Sequence, residues 1–110
     1  MSRRLEQVSS LLQQDVAAII RRELEFSAGV IVGVARVVLG PDLKFARIYV
    51  SVLPESEAEA VLKQLHNNRT AIQKQLVANL SMKFTPKISF SLDDTESQAS
   101  RIESLIDSLH

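Results

Sequence analysis

Apolar residues recur along the first 25 positions at steps of three and four. Leu5, Val8, Leu12, Val16, Ile19 or Ile20, and Leu24 therefore stack on one side of a helix. Ser2 is placed to cap its start, and neither Pro nor Gly interrupts the chain before Gly29. The pattern predicts a helix over 3–25, ended by Ser27-Ala28-Gly29. The rhythm then changes. Ile31 to Leu39 is Val-rich and β-branched, which suits a strand. Gly40-Pro41-Asp42 supplies a turn, with Pro setting φ and Asp able to bond backbone two residues on. Phe45 to Leu53 alternates, with Ala46, Ile48, Val50 and Val52 on one side and Phe45, Arg47, Tyr49 and Ser51 on the other. Two strands joined by a short turn make a β-hairpin.

Pro54 closes the hairpin, and Ser56-Glu57-Ala58-Glu59 has capping-box spacing at the start of a helix whose apolar face is Ala58, Val61, Leu62 and Leu65. The pattern breaks at His66-Asn67-Asn68-Arg69-Thr70, and Ile72, Leu76 and Leu80 then carry a helical face to about Met82. Two geometries are open here, and the first is the expected one. One is a kink held by Asn side-chain bonds to backbone, Asn also tolerating left-handed φ. The other is one continuous helix from about Glu57 to Met82 with Arg69 solvated. Pro86 resets the chain, and Ile88, Phe90 and Leu92 alternate with Lys87, Ser89 and Ser91 as a third strand. Asp93-Asp94-Thr95 is a turn and cap, and Ala99, Ile102, Leu105, Ile106 and Leu109 form a last amphipathic helix. The order α-β-β-α-α-β-α is α+β: a three-stranded sheet with helices covering its apolar face. Leu12, Val16, Ile48, Val50, Leu65, Leu76, Ile88 and Phe90 are the predicted core. A chain of 110 residues suits one domain over 1–110, with 93–110 as a helical extension.

Composition removes several function classes. The chain has no cysteine, which excludes disulfides and thiolate metal sites and fits a reducing compartment. The longest apolar run, Ala28 to Ala35, is closed by Arg36 far short of the ~20 residues that span a bilayer. Arg3 and Arg4 imitate a signal peptide, but Glu6, Gln7, Gln13, Gln14 and Asp15 spoil its apolar region. No membrane partner and a cytoplasmic location are expected. His66 and His110 are the only histidines, and no G-x-S-x-G context accompanies them. His66 reads as a contact with a helix C-terminal dipole. Gly29, Gly33 and Gly40 make no phosphate-binding loop, and Asp93-Asp94 is better explained as turn and cap than as a metal pair. The expectation is no enzyme, no cofactor, no metal and no small-molecule substrate.

Charge changes the picture. The net charge is zero, which by itself speaks against a nucleic-acid partner. Yet Ala60 to Leu92 holds Lys63, Arg69, Lys74, Lys83 and Lys87 and no acid, whereas Asp93, Asp94, Glu96, Glu103 and Asp107 face only Arg101 after it. Such segregation can give a neutral protein one positive face; scattered solvated lysines are the alternative. Arg21, Arg22, Lys44 and Arg47 lie near acids and are either further contributors or simply solvated. The aromatics are Phe26, Phe45, Tyr49, Phe84 and Phe90, with no run that signals base stacking on a sheet. Core packing is expected for the Phe residues, and a sheet-edge position for Tyr49.

These segments resemble one family. Arg4-Leu5-Glu6-Gln7-Val8 and Ile19-Ile20-Arg21-Arg22-Glu23-Leu24 look like the first helix of ribosome-binding factor A. Gly40-Pro41-Asp42-Leu43-Lys44-Phe45-Ala46-Arg47-Ile48-Tyr49-Val50-Ser51 is similar to its Pro-Asp-Leu, Ala, Tyr-Val-Ser hairpin signature. Pro86-Lys87-Ile88-Ser89-Phe90, followed by Asp93, resembles its Pro-x-Leu-x-Phe strand, and Arg101-Ile102 with Leu105, Ile106 and Leu109 its closing helix. The resemblance covers nearly the whole chain. It implies a type II KH-like domain, α-β-β-α-α-β with an additional C-terminal helix. It also implies a cytoplasmic, monomeric, non-enzymatic protein that binds the free small (30S) ribosomal subunit and assists late maturation of its 16S rRNA. Where KH domains use G-x-x-G between two helices, the family has an Ala-x-Gly kink, and this chain reads Asn68-Arg69-Thr70. Charge segregation and this junction together give the expected RNA-binding set: Lys63, Asn68, Arg69, Lys74, Lys83 and Lys87, with Arg21, Arg22, Lys44 and Arg47 as further contributors. The competing expectation is a protein-interaction module that docks a partner through its last helix and binds no RNA directly.

Overall fold

The structure, a computed structural model, describes residues 3–82 and 84–93. The Ser2 cap, Lys83, the Asp94-Thr95 part of the turn and the closing helix lie outside the described residues. Helix α1 (Arg3–Glu23) leads to strands β1 (Ile31–Leu39) and β2 (Phe45–Leu53). Helices α2 (Ala58–Asn67) and α3 (Arg69–Leu80) follow, and then strand β3 (Lys87–Leu92). The described part is α+β in the expected order.

β2 is the central strand. It pairs antiparallel with β1, from Ile31 opposite Leu53 to Leu39 opposite Ala46, and parallel with β3, from Phe45 beside Lys87 to Val50 beside Leu92. The hairpin turn is built as its residues dictate. The Asp42 carboxylate Oδ1 accepts the Lys44 backbone N–H at 3.1 Å, two residues on, and the Gly40 N–H donates to the Phe45 carbonyl at 3.0 Å. Leu43 completes the turn at φ 61, a left-handed conformation that costs a residue with a Cβ about 1–2 kcal/mol. A bulge between Val34 and Arg36 adds one residue to β1. It keeps Val34 and Val37 toward the core while Arg36 and Val38 stand exposed. At this bulge Gln13 Nε2 donates to the Val34 carbonyl at 3.2 Å and Ser9 Oγ to that of Val37 at 3.1 Å, so α1 satisfies the outer edge of β1.

One face of the sheet carries the core. Ala46, Ile48, Val50 and Val52 of β2 and Ile88 and Phe90 of β3 meet Val8, Leu12, Val16, Ile19 and Ile20 of α1, Val61 and Leu65 of α2, and Ile72 and Leu76 of α3. All eight predicted core residues are buried. Each such side chain contributes about 1.5–3 kcal/mol on leaving water. The opposite face, with Phe45, Arg47 and Ser51, is exposed.

Four local expectations are corrected. α1 stops at Glu23 rather than residue 25. The Leu24 N–H still reaches the Ile20 carbonyl at 3.1 Å, and Leu24 and Phe26 pack on the core, so the apolar periodicity outlasts the helix. The capping box does not form. A tight 3-10 turn over Glu55–Glu57 follows extended Pro54, Ser56 sits inside that turn, and no side chain caps either start. Tyr49 is on the central strand, not the sheet edge, with the Arg36 guanidinium 4.0 Å above its ring. Of the phenylalanines, Phe90 is buried and Phe26 half-buried, but Phe45 and Phe84 are 62% and 77% exposed. Phe45 belongs to the open face of β2, and Phe84 to the connection between α3 and β3.

Candidate nucleic-acid interface

The two middle helices are separated by one residue. Asn68 sits at φ −102, ψ 6, outside the helical region and not left-handed. Its side-chain Nδ2 donates to the Gln64 carbonyl at 2.8 Å, and its backbone N–H lies 3.1 Å and 3.2 Å from the Gln64 and Leu65 carbonyls. This closes the end of α2 and withdraws Asn68 from continuing it. The helix is interrupted as the Asn chemistry suggests, but through a bond back to α2 and not through a left-handed turn. α3 then starts with no side chain capping its first amides, so its N-terminus keeps their partial positive charge.

α3 has two faces. Ile72 and Leu76 point into the core. Arg69 and Gln73, and Thr70 and Lys74, stand one turn apart on the other side and face the start of β3. Gln73 ties the two elements together. Its Nε2 donates to the Pro86 carbonyl at 2.9 Å, and its Oε1 accepts the Ile88 backbone N–H at 2.9 Å. The side-chain amide thus stands in for a neighbouring strand. Farther along, His66 Nε2 lies 3.2 Å from the Phe90 carbonyl, so the histidine engages β3 as well as occupying the last turn of α2.

Between α3 and β3 runs an open groove of about 370 Å³. Its walls include Arg69, Thr70 and Lys74 from α3, Lys87 and Ser89 from β3, and Phe45 from β2. Three cations, two from α3 and one from β3, converge there without an acid among the lining residues. That arrangement suits a polyanion.

The other expected positions are dispersed. Lys63 is exposed on α2 and does not line the groove. Asn68 is engaged with Gln64. Lys44 lines an adjoining cleft that shares Phe45 and Lys87 with the groove. Arg47 is exposed on the open face, level with Ser89. Arg21 lines a separate depression between α1 and β1. Arg22 pairs with Glu23 at 3.0 Å and donates to Gln75 of α3. Arg22 and Gln75 hold the Glu23 carboxyl below the usual carboxylate range. Thr70, Gln73 and Phe45 were not anticipated. The signal for Gln73 was its position one turn beyond Arg69, and for Phe45 its alternation with buried residues.

No group of three or more His, Asp or Glu among the described residues could hold a metal ion, and none of their helices is long and apolar enough to cross a membrane.

An α-β-β-α-α-β order, a β3 strand parallel to the central strand, and an interrupted helix pair beside that strand define a KH-like α+β domain. The family model described as ribosome-binding factor A matches residues 4–106, and the chain belongs to that family. The ribosome-binding factor A of Chlorobium limicola is 40% identical over 109 residues, covering 96% of this chain and 91% of that protein. The crystal structure of ribosome-binding factor A from Thermus thermophilus superposes with a TM-score of 0.70 at 19% identity, over 80% of this chain and 93% of that one. A homology model of the Thermus thermophilus protein fitted into the cryo-EM map of a 30S complex superposes at 0.65 with 22% identity, over 77% and 90%.

Proposed function

We propose that this chain is a non-catalytic, monomeric assembly factor of the cytoplasm. It binds the free small (30S) ribosomal subunit through its RNA and assists late maturation of the subunit and its 16S rRNA. The observation that carries this reading is the convergence of Arg69, Lys74 and Lys87 on one acid-free groove beside the uncapped start of α3. Cations so placed displace counterions from a phosphate backbone and give affinity with little sequence information. Family membership supplies the partner: a relative of the same fold has been fitted into a 30S complex.

The test is sedimentation of the tagged full chain in a lysate gradient. It is expected in the fractions holding free small subunits and absent from those holding complete ribosomes. Tag remaining at the top of the gradient, or distributed with complete ribosomes, contradicts the reading.

A further inference from the structure

The sheet has a second face, and the three described helices pack on the other one. Cross-strand pairing sets Ile31 beside Leu53 on it, then Gly33 beside Ser51, Arg36 beside Tyr49 and Val38 beside Arg47. Ile31 and Leu53 are 66% and 59% exposed. A lone exposed aliphatic residue is ordinary on a protein surface, but these two adjoin. Gly33 and Ser51 in the next row carry little side chain, so an incoming helix can rest close to the backbone there. Among the described residues this face carries Arg36, Arg47 and Lys87 against one acid, Asp93.

The chain leaves the sheet on this same face. The Asp93 N–H donates to the Val50 carbonyl at 2.8 Å, and its carboxylate lies 3.8 Å from Arg36 Nε, above the Tyr49 ring. Leu92 is level with Val50, so the exit at Asp93 lies about 7 Å along the strands from Leu53. The segment that follows, Asp94 to His110, holds Ile102, Leu105, Ile106 and Leu109 at helical spacing. Its acids are Asp94, Glu96, Glu103 and Asp107, against Arg101 alone. Residues 94–98 reach about 17 Å when extended. In a helix, Ile102 to Leu109 spans about 10 Å, the length of about three strand residues, so it fits back over the face.

We infer that residues 99–110 dock as an amphipathic helix on the open face of the sheet. Leu105 and Ile106 cover the Ile31–Leu53 pair, and the acids of the segment lie toward Arg36 and Arg47. Apolar spacing, opposite charge and the place of exit all match this occupant. The tether also holds it at an effective concentration on the order of millimolar, so even a weak contact is populated. Such docking is independent of RNA binding by the groove.

The experiment uses the full chain. Because it has no cysteine, Ser104→Cys accepts a single nitroxide label on the polar side of the expected helix. The amide NMR signals of Ile31, Gly33, Ser51 and Leu53 should lose most of their intensity, while those of Gln7 and Leu11, across the sheet on α1, keep theirs. Adding Leu105→Asp/Ile106→Asp restores the lost signals, and both changes lie outside the described fold, so its core is untouched. A mixture of isotope-labelled chain without nitroxide and nitroxide chain without isotope shows no broadening. Four results overturn the docking. Open-face signals keep their intensity, or broadening centres on Arg69, Lys74 and Lys87 instead. Broadening survives the double Asp change, or it occurs in the mixture, which makes the occupant a second copy.

Discussion

Glu23 shows how single residues here serve the frame of the site. Its carboxyl is held low first by the Arg22 guanidinium and then by Gln75, and Arg22 also donates to Gln75 on α3. A carboxyl with a depressed folded pKa contributes stability above its unfolded pKa and loses it as pH falls through the folded value. A carboxyl NMR titration should therefore place the Glu23 midpoint below the ordinary glutamate value, and Arg22→Ala should move it back up. No movement in that variant would show that Arg22 is not the cause. The same scale shows where the sequence could be read and where it could not. Ile48, Val50, Ile88 and Phe90 were legible as core because alternation fixes which side of a strand faces the helices. That alternation also put Phe45 opposite them, but its apolar character argued for burial, and position outweighed chemistry. Phe84 lies between two elements, where no periodicity exists to place it.

Among the elements, the closest dependence is between α3 and β3. Gln73 holds the second turn of one to the opening of the other by two hydrogen bonds in partly buried surroundings. Gln73→Ala leaves the Pro86 carbonyl and Ile88 N–H unpaired and should cost about 1–3 kcal/mol in urea unfolding, whereas Asn79→Ala on the exposed part of the same helix should change stability by less than ~0.5 kcal/mol. Equal effects of the two changes would mean that water replaces the Gln73 bonds without loss. Among the described residues, the order of the α-helices and strands was legible because each of these segments keeps one period over most of its length. The helix interruption was legible from Asn68, whose amide competes for backbone carbonyls, although its direction was not: the bond goes back to Gln64. The bulge between Val34 and Arg36 left no mark in the sequence, since nothing about Ala35, the extra residue, sets it apart from its strand neighbours. The capping-box spacing misled because Pro54 moves the helix start past the serine.

The whole molecule carries no net charge, yet its described cations are not evenly spread. Folding gathers Arg69, Lys74 and Lys87 from α3 and β3 into one groove and sets Lys44 and Arg4 in the adjoining cleft, while Lys63, Arg21 and Arg22 go elsewhere. The acid-free stretch was visible in the sequence. Which of its lysines converge was not, because convergence depends on how α3 lies along β3 and not on spacing along the chain. The central claim is that this groove binds RNA phosphates. It is tested most directly by the slope of log affinity against log salt for small-subunit rRNA, comparing wild type with Arg69→Ala/Lys74→Ala/Lys87→Ala. Three lost phosphate contacts should flatten the slope by about two to three, with the thermal unfolding midpoint nearly unmoved because all three side chains are exposed. A variant slope equal to that of wild type, or a wild-type affinity indifferent to salt, would contradict the account.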